Sequence, residues 1–236
     1  MTEQFRNMET KETVLAGKNI AVVGASSGLG YSLAEALSYE GANLYLLSRT
    51  IQDRSLPFGG TRIPCNLRDP ESITNAFAAI DTSAPQLDIL VNCAGIGLTK
   101  ALHETSYDEI INTLATNLEG VILTSVEAYK RMLEFGSGHI VNVSSTTGIK
   151  ARDMETIYAA SKWGLRGFTE SLRMEASKKG IRVTGIYPGG MRTAFWDGSE
   201  KDISAYMDPA LVAGQIVHVL KSDSSICPSE VVIERS

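Results

Sequence analysis

The sequence predicts a single α/β domain, with a doubly wound parallel sheet of about seven strands and helices on both faces. Short apolar runs alternate with amphipathic stretches along the 236 residues, and most of the runs end in glycine or a polar residue. This rhythm indicates βαβ units, whose right-handed crossovers place helices on both faces of a sheet. We expect residues 17–236 to form this domain and the polar residues 1–16 to form a loose tail.

The elements follow in order from these patterns. The short apolar runs predict strands at 18–24, 44–47, 61–65, 87–92, 139–143, 181–187 and 230–234. Apolar residues at helical spacing predict helices at 28–40, 70–80, two within 106–135, one ending near 179 and one at 209–220. Pro70 favours a helix start and Gly180 a helix end. The stretch 191–208 has no simple period.

Composition excludes several classes of function. The net charge is −5 and no basic block occurs, which argues against binding to nucleic acid or an anionic membrane. No apolar run approaches the roughly 18 residues of a membrane helix, and the first residues lack the apolar core of a signal peptide. Cys65, Cys93 and Cys227 are scattered without metal-site spacing. We therefore expect a cytoplasmic protein without a metal site.

Tyr158 and Lys162 are the first candidates for chemistry. Residues four positions apart share one face of a helix, and a nearby ammonium favours the phenolate. The pattern predicts that Lys162 lowers the Tyr158 pKa from its usual value of about 10, making it a proton donor and acceptor near neutral pH. The alternative is an amphipathic helix that carries both residues by chance. Two further motifs, at 24–30 and at 144–145, favour the functional interpretation.

The glycine-rich stretch Gly24-Ala-Ser-Ser-Gly-Leu-Gly30 joins the first predicted strand to the first helix. Such a turn lets backbone amides meet the pyrophosphate of a dinucleotide. Tight turns need glycine in any case, so the stretch alone is weak, but its position in a βαβ unit favours a dinucleotide site.

The end of the second strand predicts which nicotinamide cofactor is used. An acidic residue there would bind a ribose 2′-hydroxyl, whereas this chain has Ser48 and Arg49. A guanidinium pairs with phosphate, so the sequence favours NADP(H) over NAD(H), although a solvated arginine is the alternative. Asn66 is placed near the adenine, and Asn92, Ala94 and Gly95 end the fourth strand at the same sheet edge.

Taken together, these motifs resemble the classical short-chain dehydrogenase/reductase family over nearly all of the chain from about residue 15. The motifs occur in the family's order: the glycine turn, Asn92-Cys-Ala-Gly95, Asn117, Ser145, Tyr158-Ala-Ala-Ser-Lys162 and Pro188-Gly189. The resemblance implies a Rossmann-type fold. Together with the reasoning above, it predicts cofactor contacts from Gly24, Ser26, Ser27, Gly28, Leu29, Gly30, Ser48, Arg49, Asn66, Leu67, Asn92, Ala94, Gly95, Tyr158, Lys162, Pro188, Gly189, Met191 and Thr193.

The resemblance also implies four catalytic positions. Tyr158 would be the general acid in reduction and the base in oxidation. Lys162 would lower its pKa and hydrogen-bond the nicotinamide ribose, and Asn117 would hold a water that links Lys162 to solvent. A serine would polarise the substrate carbonyl. Ser144 and Ser145 are neighbours that point to opposite faces of a strand, and the family's spacing of 13 residues before the tyrosine selects Ser145.

The segment 191–208 lies where the family carries a mobile substrate lid. Phe195, Trp196, Tyr206 and Met207 suggest an apolar cover, with a packed connecting loop as the alternative. Arg192 could pair with an anionic substrate group, although an exposed arginine is the default. Three positions depart from the family pattern, Val23, Cys93 and Asn66, and none of them removes a catalytic group.

The leading functional hypothesis is an NADP(H)-dependent oxidoreductase that interconverts a ketone, or a 3-oxoacyl group, and its secondary alcohol. One alternative is an NAD-dependent alcohol or hydroxysteroid dehydrogenase that uses the same residues in oxidation. Another is a binding protein that senses NADP(H) without turnover. The resemblance implies a small-molecule carbonyl or alcohol substrate and a homo-oligomer, either a dimer or a tetramer.

Overall fold

The strands of the computed structural model, which describes residues 14–197 and 202–236, form one parallel sheet. They are β1 (Asn19–Val23), β2 (Asn43–Ser48), β3 (Thr61–Pro64), β4 (Ile89–Asn92), β5 (Gly138–Val143), β6 (Ile181–Pro188) and β7 (Glu230–Ile233). Their spatial order is β3-β2-β1-β4-β5-β6-β7, and every neighbouring pair is parallel. The order reverses between β1 and β4, which creates a crevice at their carboxyl ends where ligands bind in such sheets.

Helices connect the strands and cover both faces of the sheet. In the described residues they are α1 (Gly28–Tyr39), α2 (Pro70–Asp81), α3 (Tyr107–Leu114), α4 (Gly120–Phe135), α5 (Thr156–Ala176) and α6 (Pro209–Leu220). A π-helical turn, Ala115–Glu119, joins α3 to α4. Local signals set several boundaries: the Asp69 side chain caps α2, Ser106 forms a capping box with Glu109 on α3, and Gly136 ends α4 in the left-handed conformation.

The core has two layers because side chains alternate along each strand. Val22 packs on one side of the sheet with Leu33 of α1 and Ile216 of α6. Leu90 packs on the other side with Phe77 of α2, in a cluster that α4 also enters. Each fully buried side chain of this size stabilises the fold by roughly 1.5–3 kcal/mol relative to exposure. The predicted fold class is confirmed: the sheet is parallel, has seven strands and carries helices on both faces.

The predicted tail lies mostly outside the described residues. Its last residues depart from the prediction because Leu15 is only 1% exposed and packs in the core, while its carbonyl accepts a hydrogen bond from the Lys18 amide. The packed chain therefore begins at least two residues before position 17. In the predicted lid, residues 198–201 also lie outside the described part.

Two kinds of feature are absent from the described part of the chain. Among the helices of the described segments, none combines the length and hydropathy that a bilayer crossing requires. Within those same segments, no cluster of three or more His, Cys, Asp or Glu side chains is arranged to hold a metal ion.

Candidate active site

A cleft of about 900 Å³ opens at the carboxyl ends of the strands. It gathers most of the residues that the sequence singled out. The predicted residues that line it are Gly24, Ser26, Ser27, Gly28, Leu29, Gly30, Ser48, Arg49, Asn66, Leu67, Ala94, Gly95, Ser145, Tyr158, Lys162, Pro188, Gly189, Met191 and Thr193. The remaining two, Asn92 and Asn117, lie behind its wall.

The glycine turn forms the floor of the cleft between β1 and α1. Gly24 has a φ of +87°, which side chains rarely tolerate, and a Cβ there would lie 2.8 Å from the backbone nitrogen of Ala94. A Cβ on Gly30 would collide with the carbonyl of Gly24. The turn therefore presents bare backbone to the cleft. The α1 amino terminus follows it directly, and the Ser27 side chain makes no capping bond there.

Tyr158 and Lys162 lie on α5 at the wall of the cleft, and both are buried, at 8% and 4% exposure. The Lys162 ammonium lies 5.8 Å from the centre of the Tyr158 ring and donates a 3.3 Å hydrogen bond to the Val143 carbonyl of β5. The predicted shared face of α5 is therefore present, and it turns a phenol and an ammonium toward the same space.

The Tyr158 pKa is raised above its ordinary value, so the prediction of a lowered pKa is wrong. Burial raises the pKa of Tyr158 to about 12, an effect that the Ser145 hydroxyl and the Arg152 charge oppose and the Glu155 charge reinforces. Burial also lowers the pKa of Lys162 to about 8. Desolvation is the largest cause of both shifts, so the Tyr158 phenol is protonated at neutral pH and is able to donate a proton.

The two adjacent serines both line the cleft but make different hydrogen bonds. Ser145 lines the cleft, its hydroxyl is near enough to Tyr158 to lower the phenol pKa, and its oxygen accepts a hydrogen bond from the Thr147 amide at 3.1 Å. The Ser144 hydroxyl instead donates to the Lys162 carbonyl at 3.2 Å. This geometry supports Ser145 as the substrate-facing serine. The Ser144 hydroxyl instead joins the end of β5 to the backbone of α5.

Asn117 is fully buried in the π-helical turn behind the cleft. Its side-chain oxygen accepts from the Ile96 amide at 2.8 Å, and its nitrogen donates to the Ile96 carbonyl at 2.8 Å and to the Ser161 hydroxyl at 3.3 Å. A Cβ on Gly95 would lie 3.4 Å from both the Asn117 oxygen and the Lys162 nitrogen. The Asn117 side chain thus anchors the loop after β4 beside Lys162, and its water-holding role stays a prediction.

The side chain of Asn92 is buried in a polar network of the core. Its side chain donates to Asn142 at 2.9 Å and to Ser125 at 3.2 Å, and it accepts from Thr124 at 2.9 Å. All four residues are buried, and this network ties β4 and β5 to α4. Both polar atoms of the Asn92 side chain are therefore engaged in the core by partners from elements that meet only in the folded chain, and its predicted cofactor contact stays a prediction.

Arg49 lies where β2 ends, exposed along the cleft. It forms no ion pair with any residue in the described segments. The neighbouring Ser48 hydroxyl is buried and has no hydrogen-bond partner there. Asn66, across β3, uses its side-chain oxygen to accept from the Arg68 amide at 3.2 Å. This side of the cleft thus holds a cation that has no carboxylate counter-ion within residues 14–197 and 202–236.

Comparison with known proteins identifies the family of the chain. The model of the short chain dehydrogenase family matches residues 18–204. The chain belongs to the short-chain dehydrogenase family. An uncharacterized oxidoreductase of Staphylococcus saprophyticus is 31% identical over 229 residues, which cover 93% of this chain and 97% of that protein. A 3-oxoacyl-[acyl-carrier-protein] reductase of Bos taurus is 33% identical over 181 residues, or 75% and 76% of the two chains.

Solved structures agree with this assignment. A variant of actinorhodin polyketide ketoreductase, solved with NADPH, is 26% identical and superposes with a TM-score of 0.83, over 92% of this chain and 95% of that one. ElxO with NADP bound superposes with a TM-score of 0.84 over 92% and 97% of the chains, at 23% identity, and shows the shared fold. The protein is therefore an oxidoreductase of the NAD(P)-dependent short-chain type.

Aromatic side chains of the predicted lid pack over Tyr158 in this short-chain dehydrogenase. Phe195 packs edge-on against Tyr158 with ring centres 5.8 Å apart, Trp196 follows at 5.0 Å, and Tyr206 follows at 5.3 Å. A Cβ on Gly97 would lie 2.8 Å from the Phe195 ring, so glycine there lets the ring close over the cleft. This apolar cover contributes to the burial of Tyr158 through the Phe195 contact.

Arg192 does not reach the substrate side of the cleft. Its guanidinium donates to the Tyr206 carbonyl at 2.7 Å and pairs with Asp208 at 3.1 Å. It braces the two halves of the lid segment against each other.

Sequence reasoning missed the residues between β5 and α5 that complete the wall. Thr146, Thr147, Arg152 and Glu155 all line the cleft. The available signal was spacing: Glu155 precedes Tyr158 by three positions, which places it on the same side of the start of α5. Arg152 carried no comparable signal because it lies in an irregular turn.

Proposed function

We propose that this short-chain dehydrogenase is an NADP(H)-dependent carbonyl reductase, which interconverts a ketone or 3-oxoacyl group and the secondary alcohol. The observation that carries the proposal is the single cleft that joins Tyr158, Ser145 and Lys162 to the glycine turn and Arg49. Such a cleft brings a protonated phenol beside a dinucleotide site, the arrangement that a hydride transfer coupled to proton transfer requires.

The residues present fit an NADP(H) cofactor. The bare backbone at Gly24 and Gly30 and the adjoining α1 amino terminus suit a pyrophosphate. Arg49, which lacks a protein counter-ion in the described segments, suits the 2′-phosphate that distinguishes NADP(H). ElxO and the actinorhodin ketoreductase, which share this fold, were solved with NADP and NADPH. Lys162, Pro188, Gly189, Met191 and Thr193 would then surround the nicotinamide end.

Tyr158 is the proposed proton donor in reduction. When bound, NADPH supplies the hydride that goes to the carbonyl carbon. The Tyr158 hydroxyl gives its proton to the carbonyl oxygen, and the Ser145 hydroxyl holds that oxygen by a hydrogen bond. The Lys162 ammonium stabilises the resulting phenolate, which then takes a proton from solvent. The Phe195 ring packs on the Tyr158 ring and holds the phenol in a largely apolar surrounding during the transfer.

The 3-oxoacyl reductase of Bos taurus and the polyketide ketoreductase support reduction of a carbonyl over oxidation of an alcohol. A single domain over residues 17–236, a cytoplasmic location and a homo-oligomer remain predictions of the sequence.

The proposal is tested by incubating the purified protein with NADPH and a panel of ketones and 3-oxoacyl thioesters. We expect at least one member to be reduced, with one NADPH consumed for each secondary alcohol formed. Binding of NADPH with no turnover across the panel would favour the NADP(H)-sensing alternative. Turnover supported by NADH alone would contradict the cofactor assignment.

A further inference from the structure

The turn between β5 and α5 places an arginine on the substrate side of the cleft. Arg152 lines the cleft and is exposed, and its Nη2 donates a 3.0 Å hydrogen bond to the Thr146 hydroxyl. Thr146 directly follows Ser145, the proposed carbonyl-binding serine. The guanidinium is therefore tied to the residue beside the reacting centre, and its charge acts on the Tyr158 phenol.

Arg152 has no carboxylate partner among the residues that the structure describes. Some arginines elsewhere form such pairs: Arg131 with Asp81, Arg166 with Glu230, and Arg173 with Glu170. The Thr146 bond uses only one of the five guanidinium N–H groups. The remaining donors leave Arg152 able to bind an anionic oxygen group inside the cleft.

Glu155 lies in the same wall of the cleft, but it is buried whereas Arg152 is exposed. It is only 5% exposed, and its Oε2 accepts from the Thr147 hydroxyl at 2.9 Å. Arg152 is the exposed member of the two. A ligand entering the cleft therefore meets the guanidinium before the carboxylate.

The backbone of this turn is held in place. Met154, between the two charged residues, has a φ of +62°, the one non-glycine residue with positive φ in the described segments. Its carbonyl accepts a 2.7 Å hydrogen bond from the Lys100 amide, which joins the turn to the loop after β4. Strained backbone of this kind persists where the surrounding structure fixes it, often at ligand sites. The turn therefore presents Arg152 in a preformed position.

A cofactor phosphate does not account for Arg152. The glycine turn and Arg49 lie at the ends of β1 and β2, whereas Arg152 follows β5 beside Ser145 and Tyr158. We propose that Arg152 is a specificity-determining residue that binds a carboxylate or phosphate group of the substrate, so that this enzyme reduces anionic ketones in preference to neutral ones. This inference rests on the proposed carbonyl reductase function.

Matched substrates test the inference in the wild-type protein. The kcat/KM with NADPH is measured for levulinate against methyl levulinate, and for dihydroxyacetone phosphate against dihydroxyacetone. Because a charged hydrogen bond contributes about 1.5–3 kcal/mol, we expect roughly a 10- to 100-fold preference for the anionic member of at least one pair. The pair that shows it identifies the group as carboxylate or phosphate. Equal turnover within both pairs would overturn the inference.

Variants then assign the preference to Arg152. Arg152→Gln should lower kcat/KM for the anionic member by about 10- to 100-fold more than it lowers kcat/KM for the neutral member. Arg152→Lys should retain part of the preference because lysine keeps the positive charge but lacks the planar guanidinium that binds an oxyanion through two hydrogen bonds. Arg173→Gln removes the same charge from the outer surface of α5 and should leave the preference unchanged.

The outcomes separate the inference from the function on which it rests. If the wild type reduces neutral ketones alone, the reductase function stands and the role of Arg152 is refuted. A preference that survives in Arg152→Gln refutes it equally. If no ketone, anionic or neutral, is reduced, the proposed function itself fails and the inference with it. Turnover of the neutral substrate by Arg152→Gln shows that the variant is folded.

Discussion

Tyr158→Phe is expected to lower kcat for ketone reduction by about 1,000-fold, because it removes the hydroxyl that gives its proton to the carbonyl oxygen. Positioned acid–base groups typically contribute 10²- to 10⁴-fold. The substitution keeps the ring, which packs against Phe195 with centres 5.8 Å apart, so the lid contact survives. Stopped-flow absorbance of NADPH under single-turnover conditions measures the effect on the chemical step.

The control for this variant is its affinity for NADPH, followed by nucleotide fluorescence. The phenol is 8% exposed and its loss leaves the glycine turn and Arg49 untouched, so the dissociation constant should change less than about threefold. A Tyr158→Phe protein that reduces ketones at a rate within tenfold of wild type would refute Tyr158 as the proton donor.

Arg49→Gln is expected to lower kcat/KM for NADPH by about 100-fold while leaving that for NADH within a few-fold of wild type. The guanidinium lies at the end of β2, exposed to the cleft, and pairs with no protein carboxylate in the described residues. Loss of a charge-assisted phosphate contact of about 2–3 kcal/mol gives an effect of this size. Steady-state kinetics with both nucleotides and one fixed ketone measure it.

Arg54→Gln provides a matched control for the change in charge. Arg54 is exposed just after the short helix Ile51–Asp53 and does not line the cleft. Its substitution should leave the ratio of NADPH to NADH efficiency unchanged. If Arg49→Gln weakened both nucleotides equally, Arg49 would be a general surface charge rather than a phosphate ligand.

The fold and much of the cleft are predictable because they rest on local patterns. The apolar runs give the strands, and parallel strands bring their carboxyl ends to one edge, so residues after β1, β2, β4 and β5 must meet there. The spacing of Tyr158 and Lys162 fixes their shared helix face in the same way. These predictions depend on neighbours in the chain or on the topology of a parallel sheet.

Three features could not be predicted because they depend on contacts between distant residues. Asn92 is buried because Asn142, 50 positions away, meets its amide group. The Tyr158 pKa rises rather than falls because burial, to which the packed Phe195 ring contributes, removes water from the phenol. Arg152 enters the cleft through a turn with a left-handed residue at Met154, a conformation that no periodic pattern indicates.

Titration of the purified wild-type protein with NADPH and with NADH, followed by fluorescence of the reduced nicotinamide, tests the proposed cofactor site most directly. It requires no knowledge of the substrate. If the cleft holds NADPH through the glycine turn and Arg49, NADPH should bind at least about tenfold more tightly than NADH, as one charged contact implies. Equal or tighter binding of NADH would contradict the role of Arg49, and binding of neither nucleotide would contradict the proposed function.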